Sequence, residues 1–159
     1  MSADVTIVGG GLAGTEAALL LARFGLRVTL CEMRPETTTP AHESEYLAEL
    51  VCSNSLRAVD PSIAAGLLKE ELGKLDSPLL AAAEVHRVPA GAALAVDRMA
   101  FARTLTEMVE ESPAITLERR EVSHLPKGLA VLAPGPLASP ALLTAVEELV
   151  GQERLFFFD

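Results

Sequence analysis

Residues 4–32, DVTIVGGGLAGTEAALLLARFGLRVTLCE, contain the clearest structural pattern in the sequence. Residues 4–8 form a short β-branched run, which is typical of a buried strand. Helix-forming residues fill 13–23, Gly25 is placed to end that helix, and residues 27–32 return to a strand-like composition. A strand, a glycine-rich turn, a helix and a second strand within about 30 residues are typical of a βαβ unit.

The turn between the first strand and the helix, GGGLAG, matches the pattern G-x-G-x-x-G. In this pattern the glycines allow a tight turn, a close approach of the backbone to a pyrophosphate, and close packing of helix on strand. The N–H groups at the helix start then face the phosphates. Glu32 follows Gly14 by 18 residues, close to the ~20 expected of a carboxylate that accepts the ribose hydroxyls.

These features predict a site for an ADP-ribose group without a 2′-phosphate, which the carboxylate would repel; FAD and NAD both qualify. The alternatives are a purely structural glycine turn and a surface position for Glu32. The candidate cofactor-binding residues are Gly9, Gly10, Gly11, Leu12, Ala13, Gly14, Glu32, Met33 and Arg34.

The rest of the chain alternates between helical and extended patterns, which favours an α/β fold with a largely parallel sheet. Four helices are predicted to begin at capping residues, namely Asp60, Ser77, Asp97 and Ser139 or its neighbour, each followed by helix-forming sequence. The predicted helices are 60–75, 77–83 or 77–86, one starting at Asp97, and 139–150, with a helical turn at 45–50; the predicted strands are 92–96, 115–117, 129–132 and 155–158.

Composition restricts the function classes. The chain has 159 residues and a formal charge of −9, which predicts one domain or part of one and argues against a surface coated for nucleic acid. Its two cysteines make neither a disulfide framework nor a metal cluster, and no apolar run is long enough for a membrane span. We therefore expect a cytoplasmic protein with no metal site and no membrane contact. Because the chain ends on the core-like run RLFFFD, we also expect residues 1–159 to be the N-terminal part of one domain.

The segment AELVCSNSLRA, residues 48–58, holds Cys52 among small polar residues. Cys52 can be a small hydrophobic core residue or a reactive thiol. A reactive thiol requires its pKa to fall from about 8.5. Arg57 and a helix N-terminus capped by residues 53–55 are the groups that would lower it. Cys31, within the predicted second strand, is interpreted as a core residue.

Several segments together resemble a known family. VGGGLAGTEAALLLARFG, LCEMRP, TPAH, AELVCSNSLR, VPAGAALAVDR and PGPLASPAL, in this order, resemble the folate- and FAD-dependent tRNA (uracil-5-)-methyltransferases called TrmFO. Members of that family are far longer than this chain. They usually have Ala-Thr-Gly where this sequence has Ala133-Pro134-Gly135, and proline lacks the backbone N–H that threonine offers near the nucleotide.

The resemblance implies a Rossmann-like FAD-binding fold and a reductive methylation. In that reaction a methylene group passes from methylenetetrahydrofolate to carbon-5 of a T-loop uridine in tRNA, with electrons from NAD(P)H. It implies that Cys52 is catalytic, acting on carbon-6 of uridine, at the flavin-bound methylene, or as a base. It also implies that Asn54 and Arg57 contact substrate and that His42 lies in a loop against the flavin.

Two alternatives stay open. One is an MnmG-type or generic FAD oxidoreductase in which Cys52 is a core residue. The other is a non-catalytic nucleotide- or RNA-binding module that kept the fold and lost the chemistry. The sequence carries no signal for the oligomeric state.

Overall fold

The computed structural model describes residues 3–151, so the strand predicted at 155–158 lies outside the described residues. The helices and strands are, in chain order, β1 (Val5–Val8), α1 (Leu12–Arg23), β2 (Val28–Glu32), β3 (Ser55–Ala58), α2 (Ala64–Lys74), α3 (Pro78–Val85), β4 (Arg87–Val88), β5 (Ala93–Val96), α4 (Arg98–Glu110), β6 (Ile115–Arg119), β7 (Ala130–Leu132) and α5 (Pro140–Val150).

The main sheet has the strand order β6-β2-β1-β7, and all its neighbouring strands run parallel. Val5 pairs with Val28, and Val28 pairs with Ile115, so the three strands start level. The chain moves from β1 outward to β2 and β6 and then returns to the other side of β1 for β7. Ligands of parallel α/β sheets bind at such a reversal, outside the carboxyl ends of the strands. The predicted α/β fold with a largely parallel sheet is confirmed.

A second sheet, which the sequence did not predict, has the order β3-β5-β4 and is antiparallel. Two predictions for residues 45–55, which precede and enter β3, are wrong. Residues 45–50 contain a turn and no helix, and residues 53–55 lead into β3 instead of starting a helix. The Asn54 carbonyl accepts the Val96 N–H at 2.9 Å. Because the backbone pairs with β5 in this way, residues 53–55 extend into a strand and do not cap a helix.

The helix starts follow the predicted capping in three cases. Ser77, Asp97 and Ser139 each accept backbone N–H groups of α3, α4 and α5 respectively. The fourth prediction is wrong in its start. Asp60 accepts the Ser62 N–H at 2.8 Å in a turn, and α2 begins only at Ala64.

Buried side chains form cores on both faces of the main sheet. Because strand side chains alternate, Ile7 and Leu30 face a core shared with α1 and α4, whereas Val8 and Cys31 pack against Leu142 of α5. The prediction that Cys31 is a core residue is confirmed, since its exposed fraction is 2%. A further core forms between α3, β5 and α4.

The segment 47–50 connects two of these cores. Leu47 belongs to the core under the parallel sheet, while Ala48 and Leu50 belong to the core beside the antiparallel sheet. The Ala48 N–H also donates to the Gly10 carbonyl at 2.8 Å, and the Leu47 N–H donates to Thr106 Oγ1 at 2.9 Å. This irregular segment is therefore fixed by burial and by hydrogen bonds, without regular secondary structure.

Over residues 3–151, none of the helices combines the length and the apolar character that crossing a bilayer requires.

We expect Gly14→Ala to destabilise the protein by about 1–3 kcal/mol. A Cβ at Gly14 would collide with the Gly9 carbonyl oxygen, forcing α1 away from the turn after β1. Urea unfolding measures the change. Gly73→Ala is the matched control, since its Cβ would meet only Leu80 Cδ2 at 3.7 Å, and we expect it to stabilise α2 by about 0.5–1 kcal/mol. Equal effects of the two substitutions would contradict the packing role of Gly14.

Candidate functional site

A cleft of about 360 Å³ lies at the carboxyl ends of β1, β2 and β7. The glycine turn, the end of β2 and the loop after β7 form most of its wall. The lining residues include Gly9, Gly10, Gly11, Leu12, Ala13, Glu32, Met33, Arg34, His42, Val51, Ala133, Pro134 and Gly135. All candidate cofactor-binding residues except Gly14 line this cleft, and Gly14 has the packing role described above.

The glycine turn leaves room where a phosphate group would sit. A Cβ added to Gly11 would meet no heavy atom within 4 Å. Gly11 is also the N-cap of α1, and no side chain caps the helix there. Because the first N–H groups of a helix have no partner within the helix, those of α1 are available to an anion. The turn therefore fits a pyrophosphate at the helix start.

Glu32 is held at the end of β2 with its two carboxylate oxygens in different roles. Oε2 accepts the Gly10 N–H at 2.8 Å. Oε1 accepts the Arg34 backbone N–H at 3.0 Å and Arg34 Nε at 2.8 Å. Since a carboxylate oxygen has two lone pairs, Oε2 keeps capacity for one further donor. Glu32 is buried and lines the cleft, so the alternative of a surface acid is wrong.

Arg34 lies between two buried carboxylates. Its Nη1 donates to Glu49 Oε2 at 2.9 Å, and its side chain is 2% exposed. Nη1 also donates to the Ser44 carbonyl at 3.3 Å. The sequence predicted contact between Arg34 and the nucleotide; in the structure its Nε and Nη1 are engaged by Glu32, Glu49 and Ser44.

Burial and charge act on two titratable groups of the cleft. Burial alone would raise the pKa of Glu32, but hydrogen bonds and the positive charge of Arg34, together with the Gly10 N–H, lower the pKa overall. Burial, with the charge of Arg34, lowers the pKa of His42. His42 Nδ1 lies 2.8 Å from Thr39 Oγ1. His42 therefore presents a neutral imidazole to the cleft near neutral pH.

Cys52 comes directly after Val51 in the chain, and Val51 is part of the cleft wall. Cys52 is exposed, so the alternative of a buried core cysteine is wrong. The carbonyl of Leu50 accepts Arg98 Nη1 at 3.2 Å, which fixes the backbone immediately before Val51. Cys52 is thus an exposed residue that directly follows an anchored part of the cleft wall.

Asn54 and Arg57 lie on the antiparallel sheet side and outside the cleft lining, within the part of the chain that the structure describes. Asn54 Nδ2 donates to the Val96 carbonyl at 3.2 Å, so part of its amide joins β3 to β5. Arg57 is exposed, and its charge acts with burial to lower the pKa of Lys69. Their predicted substrate contacts stay predictions.

Among residues 3–151, no group of three or more His, Cys, Asp or Glu side chains is arranged to hold a metal ion. A parallel sheet with a strand-order reversal, an open glycine turn at a helix N-terminus and a carboxylate at the end of β2 together define a Rossmann-type dinucleotide-binding domain.

Comparison with known proteins identifies the family. A family profile described as "GIDA: Glucose inhibited division protein A" matches residues 4–150. The chain belongs to this family, and its resemblance to the TrmFO group within it is confirmed.

Two relatives carry the description "Methylenetetrahydrofolate--tRNA-(uracil-5-)-methyltransferase TrmFO". The protein from Synechococcus sp. (strain JA-2-3B'a(2-13)) is 54% identical over 157 residues, 99% of this chain and 34% of the relative. The protein from Pelotomaculum thermopropionicum is 56% identical over 156 residues, 98% of this chain and 36% of the relative. The chain therefore spans about a third of the length of the curated relatives it matches.

The fold has counterparts among solved structures. Aquifex aeolicus GidA in the form I crystal superposes with a TM-score of 0.62 at 18% sequence identity, over 79% of this chain and 21% of that chain. At this identity the likeness supports the fold alone.

Sequence reasoning missed Glu49, which organises the wall of the cleft. Glu49 Oε1 accepts the Glu43 N–H at 2.8 Å, and Oε2 accepts Ser44 Oγ at 3.1 Å. A single glutamate in an acidic chain gives no pattern to detect. Its position three residues before Cys52, inside an otherwise apolar run, was the available signal.

We expect Glu32→Gln to destabilise the protein at pH 7 by about 3 kcal/mol, because it leaves the buried Arg34 with a weaker partner. The folded-state pKa of Glu32 is lowered, so its stabilising contribution is complete above the unfolded-state value of about 4.3 and is lost as the pH falls through the lower folded-state value. The difference between wild type and Glu32→Gln should therefore shrink in acid. Urea unfolding at pH 7 and at successively lower pH measures this.

The control for this measurement is Glu70→Gln, which breaks an exposed pair with Lys74 on α2. We expect little change in unfolding at any pH, since exposed pairs contribute little. A wild-type-like stability of Glu32→Gln at pH 7 would contradict the role of Glu32.

Proposed function

We propose that this chain is part of the FAD-binding domain of a tRNA (uracil-5-)-methyltransferase. The protein transfers the methylene carbon of methylenetetrahydrofolate to carbon-5 of a T-loop uridine in tRNA and forms 5-methyluridine. Identity of 54–56% to proteins described by this activity, over nearly all of the chain, supports the proposal. The observation that carries it is the exposed thiol of Cys52 directly after Val51, a residue of the cleft wall.

The described residues fit FAD as the bound dinucleotide. The N–H groups at the start of α1 would bind the pyrophosphate, and Glu32 Oε2 would accept a ribose hydroxyl. Leu12, Ala13 and Met33 would line the path of the nucleotide. Bound FAD supplies two-electron chemistry, in which NAD(P)H provides the electrons that take the transferred carbon from the methylene to the methyl level.

Cys52 supplies the reactive sulfur. Cys52 has one of three roles. It adds to carbon-6 of uridine and so makes carbon-5 electron-rich, or it acts on the transferred carbon, or it serves as a base that removes a proton. The product uridine has lost the proton at carbon-5, and the folate leaves as tetrahydrofolate. Asn54 and Arg57, two and five residues after Cys52 in the chain, contact the substrate.

We place the protein in the cytoplasm, where tRNA is modified and where thiols such as Cys52 are kept reduced.

We expect Gly11→Ala to lower the affinity of the full-length protein for FAD by about tenfold, ~1.4 kcal/mol. The added methyl group would occupy the open space that the pyrophosphate needs. Because nothing in the protein lies within 4 Å of that position, the free energy of unfolding should stay at the wild-type value. Titration of the flavin fluorescence and urea unfolding give the two numbers, and an unchanged affinity would contradict pyrophosphate binding at this turn.

We expect Cys52→Ser to abolish methylation of T-loop uridine in unmodified tRNA, because a hydroxyl is far less ionised than a thiol. FAD binding should remain, since Cys52 lies beyond the cleft lining. The control is Ser53→Ala, which removes an exposed hydroxyl that accepts only the Ser55 N–H at 3.2 Å among the described residues and should keep wild-type turnover. Methylation by Cys52→Ser at the wild-type rate would return Cys52 to a structural role.

A further inference from the structure

We propose that Glu49 is a positioning residue that keeps one oxygen of Glu32 free for the nucleotide and couples nucleotide binding to the Cys52 segment. The inference rests on the proposed dinucleotide site. It assigns a role to a residue outside the glycine motif.

Glu49 restricts how Arg34 pairs with Glu32. A guanidinium has five N–H donors and readily binds both oxygens of one carboxylate. Here Arg34 Nε binds Glu32 Oε1, and Nη1, on the other edge of the guanidinium, binds Glu49 Oε2 at 2.9 Å, so the group is held between the two carboxylates with no hydrogen bond to Glu32 Oε2. Glu32 Oε2 therefore meets only the Gly10 N–H among the described protein donors. Without the charge of Glu49, the guanidinium of Arg34 can turn and occupy Glu32 Oε2 as well.

The same carboxylate of Glu49 holds the segment that leads to Cys52. It is 7% exposed on its side chain and accepts the backbone N–H groups of Glu43 and Ser44 and the Ser44 hydroxyl. One residue earlier, the Ala48 N–H donates to the Gly10 carbonyl. The Ala48 N–H is thus tied to the glycine turn, and the carboxylate of Glu49 is tied to Arg34 and to residues 43–44.

A ribose hydroxyl on Glu32 Oε2 would complete the hydrogen bonding of this network, which includes Gly10, Glu32, Arg34 and Glu49. The completed network resists opening more strongly than the empty one, so segment 43–52 should fluctuate less when nucleotide is bound. Reactivity of Cys52 toward an alkylating agent should therefore fall on nucleotide binding, through Glu49.

The test uses the full-length protein with ADP-ribose and, separately, FAD. We expect Glu49→Gln to weaken ADP-ribose binding on the order of tenfold and to abolish the slowing of Cys52 alkylation by ADP-ribose. Titration calorimetry gives the affinity, and mass spectrometry of the Cys52 peptide gives the alkylation rate. Glu45→Gln is the matched control, because it removes an exposed carboxylate of the same loop, and both readouts should match wild type.

A double-mutant comparison separates positioning from general damage. If Glu49 acts through Glu32, then Glu32→Gln together with Glu49→Gln should bind ADP-ribose no more weakly than Glu32→Gln alone. Additive losses would overturn the proposal. A Glu49→Gln protein that melts at lower temperature but keeps wild-type affinity and wild-type protection of Cys52 would also overturn it.

Should Glu49→Gln fail to fold, Ser44→Ala removes the hydroxyl that donates to Glu49 Oε2 at 3.1 Å and accepts the Tyr46 N–H at 3.3 Å. We expect the same two effects in smaller size, and wild-type behaviour would overturn the proposal. The outcome for the proposed function is separate. ADP-ribose binding that depends on Glu49, in a protein that neither binds FAD nor methylates tRNA, would support this inference and overturn the methyltransferase.

Discussion

The hydrogen bonds of the Gly10 backbone hold the other parts of the site together. Its N–H donates to Glu32, and its carbonyl accepts both the Ala48 N–H and the Thr15 hydroxyl. A Cβ at this position would press on Leu47 and on Glu32 Oε2. A single residue without a side chain therefore joins the glycine turn, Glu32 and the segment 47–50 through hydrogen bonds.

Local sequence predicted those parts of the fold whose energetics are local. The strand, glycine turn and helix of residues 4–23 follow from composition and from glycine sterics, and Ser77 and Asp97 cap helices as their side-chain chemistry requires. The parallel sheet followed from the alternation of strands and helices. Glu32 was predicted to lie at the nucleotide site from its spacing alone, and the structure places it in the wall of the cleft.

The rest depended on contacts between residues distant in the chain. The pairing of β3 with β5 involves residues such as Ser55 and Ala95, which no local pattern relates, so the segment before β3 was wrongly read as helical. Glu49 was not predicted for the same reason, because its role depends on Arg34, which lies beside it only in the folded structure. Buried ion pairs of this kind are set by tertiary structure and carry no sequence period.

The sharing of segment 47–50 between two hydrophobic cores has a consequence for cooperativity. Leu47 contributes to one core and Leu50 to the other, so separating the antiparallel sheet from the parallel sheet would expose apolar side chains on both sides at once. Amide protons of β1 and β5 should therefore exchange with solvent through the same unfolding event. The segment 47–50, which leads to Cys52, is therefore held in place by both cores and should be released only when both unfold.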